Sequence, residues 1–223
     1  MFLFNKIIFP FIESLIRNIS GGLGQRIRFQ YYKRRFKNCG KNVKIDEGVI
    51  FQTPENMSIG NDVWFLPYSI ISARPSYTNL DERVLRKKKN KAFDIDIGNI
   101  FIGNEVMIGA YNIIQGFGGI IIRNKVTTSA RVSIYSFSHV PYDESDRSKI
   151  TYANSMIKSD PVACIESPIV IENGVWLGLN VIVFAGNIGE NSFISSNSIV
   201  LNDIPINSYV SKNSISKRFS QKT

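Results

Sequence analysis

The sequence predicts an all-β fold, a parallel β-helix preceded by a helical segment. Three observations carry this: aliphatic residues recur every six positions, they come in pairs two apart, and the period breaks at regular intervals. One set runs Ile102, Ile108, Ile114; Ile122, Thr128, Ile134; Ile171, Leu177, Val183; then Ile188, Ile194, Val200, Ile206. A second set stands two residues earlier, at Ile100, Val106, Ile120, Val126, Val132, Ile169, Val175, Val181, Ser198 and Ile204. Residues two apart in an extended chain share a face, so both sets point into one interior. Val43 and Ile45, Val49 and Phe51, Met57 and Ile59, and Val63 and Phe65 begin the same ladder. A helix of 3.6 residues per turn does not produce it.

Six residues thus make one short strand and a turn. Gly60, Gly103, Gly109, Gly178 and Gly189 each follow a ladder position, and the expectation is that they take turn angles closed to other residues. Asn61 and Asn104 are expected to serve the same turns, because asparagine tolerates the left-handed region. Three ladder positions lie between consecutive breaks, as in 59, 65, 71 and 122, 128, 134. Three strands then make one turn of a triangular prism, and every insertion leaves from one edge. The two long insertions, residues 72–96 and 135–168, emerge roughly 10 Å apart, two coils of about 4.8 Å from each other, and can share a site. The organisation read from this is an amphipathic and basic helical segment (1–42), the β-helix (43–212) and a basic C-terminal tail (213–223).

A chain of 223 residues with 43% hydrophobic and 20% charged residues has enough apolar material for a real core. Cys39 and Cys164 are too few for a disulfide framework or a thiolate metal cluster, and one histidine cannot complete a three-histidine zinc site. The reading is a reduced, metal-free, cytoplasmic protein. Its net charge of +9 attracts something acidic. No nucleic-acid module is present, so no nucleic-acid partner is expected.

In the first 22 residues Asn5, Lys6, Pro10 and Glu13 interrupt the apolar run, which argues against a membrane span or a secretory signal. Phe4, Ile8, Phe11, Ile12, Leu15 and Ile16 fall at helical spacing, and residues 25–37 interleave six basic residues with aromatics. Two readings stay open: a helix packed on its own protein with a solvated basic stretch, or a peripheral membrane contact through residues 1–37, on the inner membrane face, with anionic lipid as partner.

The stretches "IGNEVMIGAYNII", "IENGVWLGLNVIVFAGNIGENSFISS" and "SIVLNDIPINSYVSKN" resemble the hexapeptide-repeat acyltransferases, over roughly residues 43 to 212. The resemblance implies a left-handed parallel β-helix, a homotrimer and acetyl-CoA as co-substrate. "SIYSFSHVPYD" resembles the segment of the maltose, galactoside and polysaccharide O-acetyltransferases that carries the catalytic histidine, which implies that His139 is the general base. The residues themselves allow either that role or a loop histidine without one. Asp143, Glu144 and Glu166 are candidates to orient the imidazole, each also readable as a solvated loop charge. Cys164 reads as buried and inert.

For the coenzyme the resemblance implicates Trp176, in the "VWLG" turn and also readable as plain packing on the outer wall, with Gly178 and Asn180 beside it and Ser196 at a small position against the pantetheine arm. Lys217 and Arg218 are candidates for the coenzyme phosphates, and equally readable as an exposed basic terminus. The family's threonine-lysine pair is Leu201-Asn202 here, and Gly109 stands where the sugar acetyltransferases carry an acceptor-binding asparagine. "RKKKNK", residues 86–91, fits an anionic glycan or phosphate, or a solvated loop. The function expected is O-acetylation of a sugar hydroxyl in a surface polysaccharide, such as lipopolysaccharide or capsule, or in its precursor. The saccharide is the acceptor partner. The alternatives are N-acetylation of a nucleotide-linked amino sugar, or a non-catalytic basic solenoid docking on membranes or glycan enzymes.

Overall fold

The structure, a computed structural model, describes residues 2–75, 98–140, 146, 148, 163–211 and 214–218. Parallel strands stack into three sheets, and the chain visits them in strict rotation. Face A holds Asn38–Cys39, Met57–Ile59, Ile100–Ile102, Ile120–Ile122 and Ile169–Ile171. Face B holds Lys44–Ile45, Trp64–Phe65, Met107–Ile108, Thr127–Thr128, Trp176–Leu177, Phe193–Ile194 and Ser208–Ser211, with Ser214–Lys217 folded back antiparallel on the last. Face C holds Ile50–Gln52, Ile70–Ala73, Ile113–Gly116, Ser133–Tyr135, Ile182–Val183 and Ile199–Val200.

The register explains the period. Ile59, Ile102, Ile122 and Ile171 pair in one column and Ile71, Ile114, Ile134 and Val183 in another, each inward residue resting on its counterpart one coil away. All are at most 3% exposed. Removing a whole aliphatic side chain from such a column costs about 2–5 kcal/mol, because the stacked neighbours cannot collapse into the hole.

Two expectations change. Ile206, counted as a ladder residue, is 66% exposed; the ladder resumes instead at Ile204, which bridges to Ile188, and continues to Val210 opposite Ile194. The final C-to-A turn is shorter than six-residue counting allows, so Ile206 falls in the next turn. The glycines also act for another reason. Gly60, Gly103, Gly109, Gly178 and Gly189 do not have positive φ; the left-handed residues stand two positions later, at Asp62, Glu105, Tyr111, Asn180 and Asn191. What excludes a side chain is the next coil: a Cβ on Gly178 would lie 2.7 Å from the Ser196 nitrogen, and one on Gly103 2.6 Å from Asn124 Oδ1. Asn61 and Asn104 likewise serve by side chain, each accepting from a backbone N–H of the preceding coil.

Two helices precede the coils: α1 (Phe2–Ile16) and α2 (Gly21–Lys33). Much of the basic stretch is structural. Tyr32 and Phe36 form an aromatic cluster with Phe51, which meets Phe65 at 5.0 Å, covering the N-terminal end of the column. Arg28, fully buried, donates to the carbonyls of Ile16, Ile19 and Ile45 and so ties the end of α1 to the first coil. Burial lowers its pKa, against the opposing pull of Glu47 and Asp46. Phe11, Leu15 and Leu23 remain exposed, as do Arg26, Lys33, Arg34 and Lys37. No helix among the described residues is long and apolar enough to cross a membrane.

Candidate active site

Among the described residues every irregular step from one coil to the next lies at the C–A corner. The chain leaves face C after Ala73 and after Tyr135 and re-enters face A at Ile100 and Ile169, so both long insertions are rooted on one edge, two coils apart. The second insertion opens as an antiparallel ribbon, Phe137–Val140 against Ala163–Glu166, with His139 opposite Cys164. The ribbon lifts His139 off the prism, where it is exposed and meets the Phe137 ring edge-on at 5.3 Å. Phe137 is buried against the coil and fixes the root of the strand.

The two insertions are locked together at their roots. Arg74, just past Ile70–Ala73, forms an ion pair with Glu166, the last residue of the ribbon; Glu166 is 2% exposed. Glu166 is therefore neither a solvated charge nor a partner shown on the imidazole. Cys164 is buried as expected, and burial, helped by the Glu166 charge and opposed by Arg74, pushes its thiol up to about 11. A thiol held protonated in this way is a poor nucleophile. Asp143, Glu144 and residues 86–91 lie outside the described residues.

Beside the ribbon a cleft of about 210 Å³ opens between Ser136, Phe137, Ile165, Phe184, Ala185 and Leu201. Leu201, the departure noted above, contributes an apolar wall to it.

The coenzyme candidates gather elsewhere. Gly178, Asn180 and Ser196 meet at the B–C corner: the Leu179 N–H donates to Ser196 Oγ at 3.1 Å, and Asn180 Nδ2 donates to Asn197 Oδ1 at 2.9 Å. Trp176 stands on face B, its indole N–H donating to Ser129 Oγ at 3.2 Å and its ring continuing into Phe193 and Tyr209. Lys217 ends the returning strand, and Arg218 donates to the Asn191 carbonyl beside the Phe193 ring. Asn191 lies at the A–B corner, so Arg218 is apart from the Ser196 group. Within one chain His139 and Ser196 thus occupy two different edges, which share face C between them.

No protein-family model matches the sequence. A dTDP-4-amino-4,6-dideoxy-D-glucose acyltransferase of Escherichia coli is 28% identical over 153 residues, 69% of this chain and 62% of that protein. A lipopolysaccharide biosynthesis O-acetyltransferase, WbbJ, of Escherichia coli K12 is 29% identical over 51% of this chain and 56% of its own length. Among solved structures AntD, an N-acyltransferase from Bacillus cereus in complex with dTDP and coenzyme A, superposes with a TM-score of 0.65 at 21% identity, over 86% of this chain and 89% of its own. The chain resembles the hexapeptide-repeat acyltransferases in sequence and in fold. Its coils are those of the left-handed parallel β-helix. It spans less than two thirds of the length of these two curated relatives.

Sequence reasoning missed the Arg74–Glu166 lock, whose partners are 92 residues apart and carry no shared pattern. It also missed Tyr68 and Tyr111, whose signal was available: each occupies a turn position that Asn180 and Asn197 fill in later coils.

Proposed function

We propose that this chain is an acetyl-CoA-dependent O-acetyltransferase acting on a sugar hydroxyl of a surface polysaccharide or its precursor. His139 acts as general base: its imidazole accepts the hydroxyl proton as the sugar oxygen attacks the thioester carbonyl, the C–S bond breaks, and the imidazolium returns the proton to the departing sulfur so that coenzyme A leaves as thiol. General base catalysis of this kind contributes typically 10²- to 10⁴-fold. The observation that carries the reading is the display of the chain's single histidine on a ribbon at the C–A corner, whose root residues Phe137, Ser138 and Ile165 line a cleft.

The working site is composite. Ile50, Ile70, Ile113, Ile182 and Ile199 fall in register as an outward column on face C, interrupted by Ser133, and Ile199 is 58% exposed. An apolar stripe of this kind is normally covered by a partner. Three copies joined about an axis along this face set the C–A corner of one beside the B–C corner of the next. His139 then meets the neighbour's Gly178, Asn180 and Ser196, which line the coenzyme groove with Trp176 on their flank. Residues 1–37 supply peripheral contact with anionic membrane lipid through exposed Phe11, Leu15 and Leu23 and the basic residues of α2.

A second reading, N-acylation of a nucleotide-linked amino sugar, is favoured by the names of the E. coli acyltransferase and AntD. The test is incubation with labelled acetyl-CoA and either partly deacetylated surface glycan or dTDP-4-amino-4,6-dideoxyglucose. An alkali-labile ester on the glycan supports the proposal, and an alkali-stable amide on the nucleotide sugar replaces it with the second reading. Transfer to neither, or wild-type turnover in His139→Ala, overturns the mechanism.

A further inference from the structure

The B–C corner carries a column of residues in the left-handed region, one per coil, linked by backbone hydrogen bonds. Tyr68 donates to the Glu47 carbonyl, Tyr111 to Pro67, Arg131 to Ala110, Asn180 to Ala130 and Asn197 to Leu179. Holding a bulky side chain at positive φ costs about 1–2 kcal/mol per residue, which glycine avoids and asparagine reduces. Gly48, Asn180 and Asn197 make the inexpensive choice; Tyr68 (φ 60°) and Tyr111 (φ 58°) do not. Polar and charged residues fill the equivalent A–B positions, including Asn42, Asp62, Glu105 and Lys125, and none of these is aromatic.

The two tyrosines repay nothing to the core. Their side chains stand out from the prism, 48% and 54% exposed, with rings stacked at 5.3 Å and 13°. Tyr68 also covers Gly48, where a Cβ would collide with its ring. A strained position holding an exposed, ordered aromatic pair points to a ligand.

Height along the prism says which one. Arg131 belongs to the coil from which the His139 ribbon departs, through Thr127–Thr128 and Ser133–Tyr135. In the trimer proposed above a neighbour's Arg131 comes level with the coil that carries the His139 ribbon, with Tyr111 about 5 Å and Tyr68 about 10 Å toward the N-terminal end, and Ser196 about 10 Å the other way. With the coenzyme groove on the Ser196 side, the tyrosine side is left for the second substrate.

We propose that Tyr68 and Tyr111 form the acceptor platform, with the C–H face of a pyranose ring packed against the tyrosine pair and exposed Arg131 meeting an adjoining phosphate. This rests on the function proposed above, but its test needs no turnover. Saturation-transfer NMR is run on the full chain with glucose, galactose and N-acetylglucosamine, each with and without a 1-phosphate. The probes are compared for wild type, Tyr68→Phe/Tyr111→Phe and Tyr68→Asn/Tyr111→Asn; asparagine is chosen because the fold already accepts it in this column. The expected result is ring-proton saturation of at least one sugar by wild type and the Phe pair, lost in the Asn pair at an unchanged sedimentation coefficient. Signal retained by the Asn pair, or absent from all six sugars with wild type, overturns the platform. An Asn pair that sediments as smaller species assigns the tyrosines to the subunit interface and overturns it too. Sugar saturation that depends on the tyrosines in a protein that transfers no acetyl group leaves the platform standing and removes the acetyltransferase reading alone.

Discussion

The composite site proposed above makes a quantitative prediction. In one chain His139 stands on the C–A ribbon and Ser196 on the B–C corner, on opposite sides of face C. Suppose His139→Ala removes the base and Ser196→Trp fills the groove, each variant alone turning over at about 10⁻² of wild type or less. In a ring of three that contains both variants, one interface always joins an intact His139 to an intact Ser196 corner, whichever variant is in the majority. Mixed rings therefore recover about one third of wild-type turnover. Co-expression with two different affinity tags, followed by sequential purification on both, isolates these rings, and coenzyme A release with a thiol reagent reads the rate. If both residues served the same active site from one chain, every chain would carry a lesion. Mixed rings that stay at the level of the single variants would refute the shared site.

Removing one partner of the buried Arg74–Glu166 pair leaves the other charge stranded. Glu166→Ala should cost about 3 kcal/mol, near the low end for such a break because Arg74 keeps 16% exposure, and lower Tm by roughly 6–12 °C. A calorimetric shift under 2 °C would contradict this. Cys164 has its folded pKa raised from 9.0 to about 11, so it contributes stability that is fully present below pH 9 and lost as pH rises toward 11. The Tm of wild type relative to Cys164→Ala should fall over that window, and a constant difference would remove the coupling. Gly103→Ala should destabilise by about 1–3 kcal/mol in urea titration through collision with the Asn124 turn, although the φ of Gly103 suits alanine. Phe11→Ser/Leu15→Ser should reduce co-sedimentation with phosphatidylglycerol vesicles several-fold, leaving sedimentation in buffer alone unchanged.

The coil and its edge were legible because a stacked prism repeats its environment every six residues. Ile102, Ile122 and Ile171 answer to the same neighbours and so carry the same residue. The same logic located the insertions, since a break in a periodic pattern is as visible as the pattern. It failed where backbone, not side-chain, contacts set the choice. Gly103 and Gly178 looked like conformational devices, and only the distance to the next coil shows that they are spacers. Ile206 was misplaced because the final C-to-A turn is short, a property of the corner rather than of the strand. Lys217 and Arg218 read as phosphate contacts or an exposed basic terminus; Ser214–Lys217 in fact adds a strand to face B and Arg218 bonds the Asn191 carbonyl.

The division of labour among the corners follows from their hydrogen bonds. At the A–B corner the side-chain oxygens of Asn61, Asn104, Asn124 and Asn173 each accept an N–H from the preceding coil, so those turns are tied in sequence. An insertion there would break two ties, above and below it. The B–C corner carries the same kind of backbone bonds, through Tyr68, Tyr111, Arg131 and Asn180; Asn180 is tied by its side chain to Asn197, whereas the side chains of Tyr68, Tyr111 and Arg131 project exposed. At the C–A corner Asn187 bridges only the last coils, donating its backbone N–H to Asp203 and accepting from Val170. Below that level the chain leaves and returns twice, tied by Asn56 to the Arg74 carbonyl and by the Gly118 N–H to Ser136 Oγ, and Arg74 and Glu166 close the two long excursions. The ribbon and the projecting side chains of the B–C corner thus stand on the two edges of face C, so in the trimer proposed above chemistry that needs both falls between neighbouring copies.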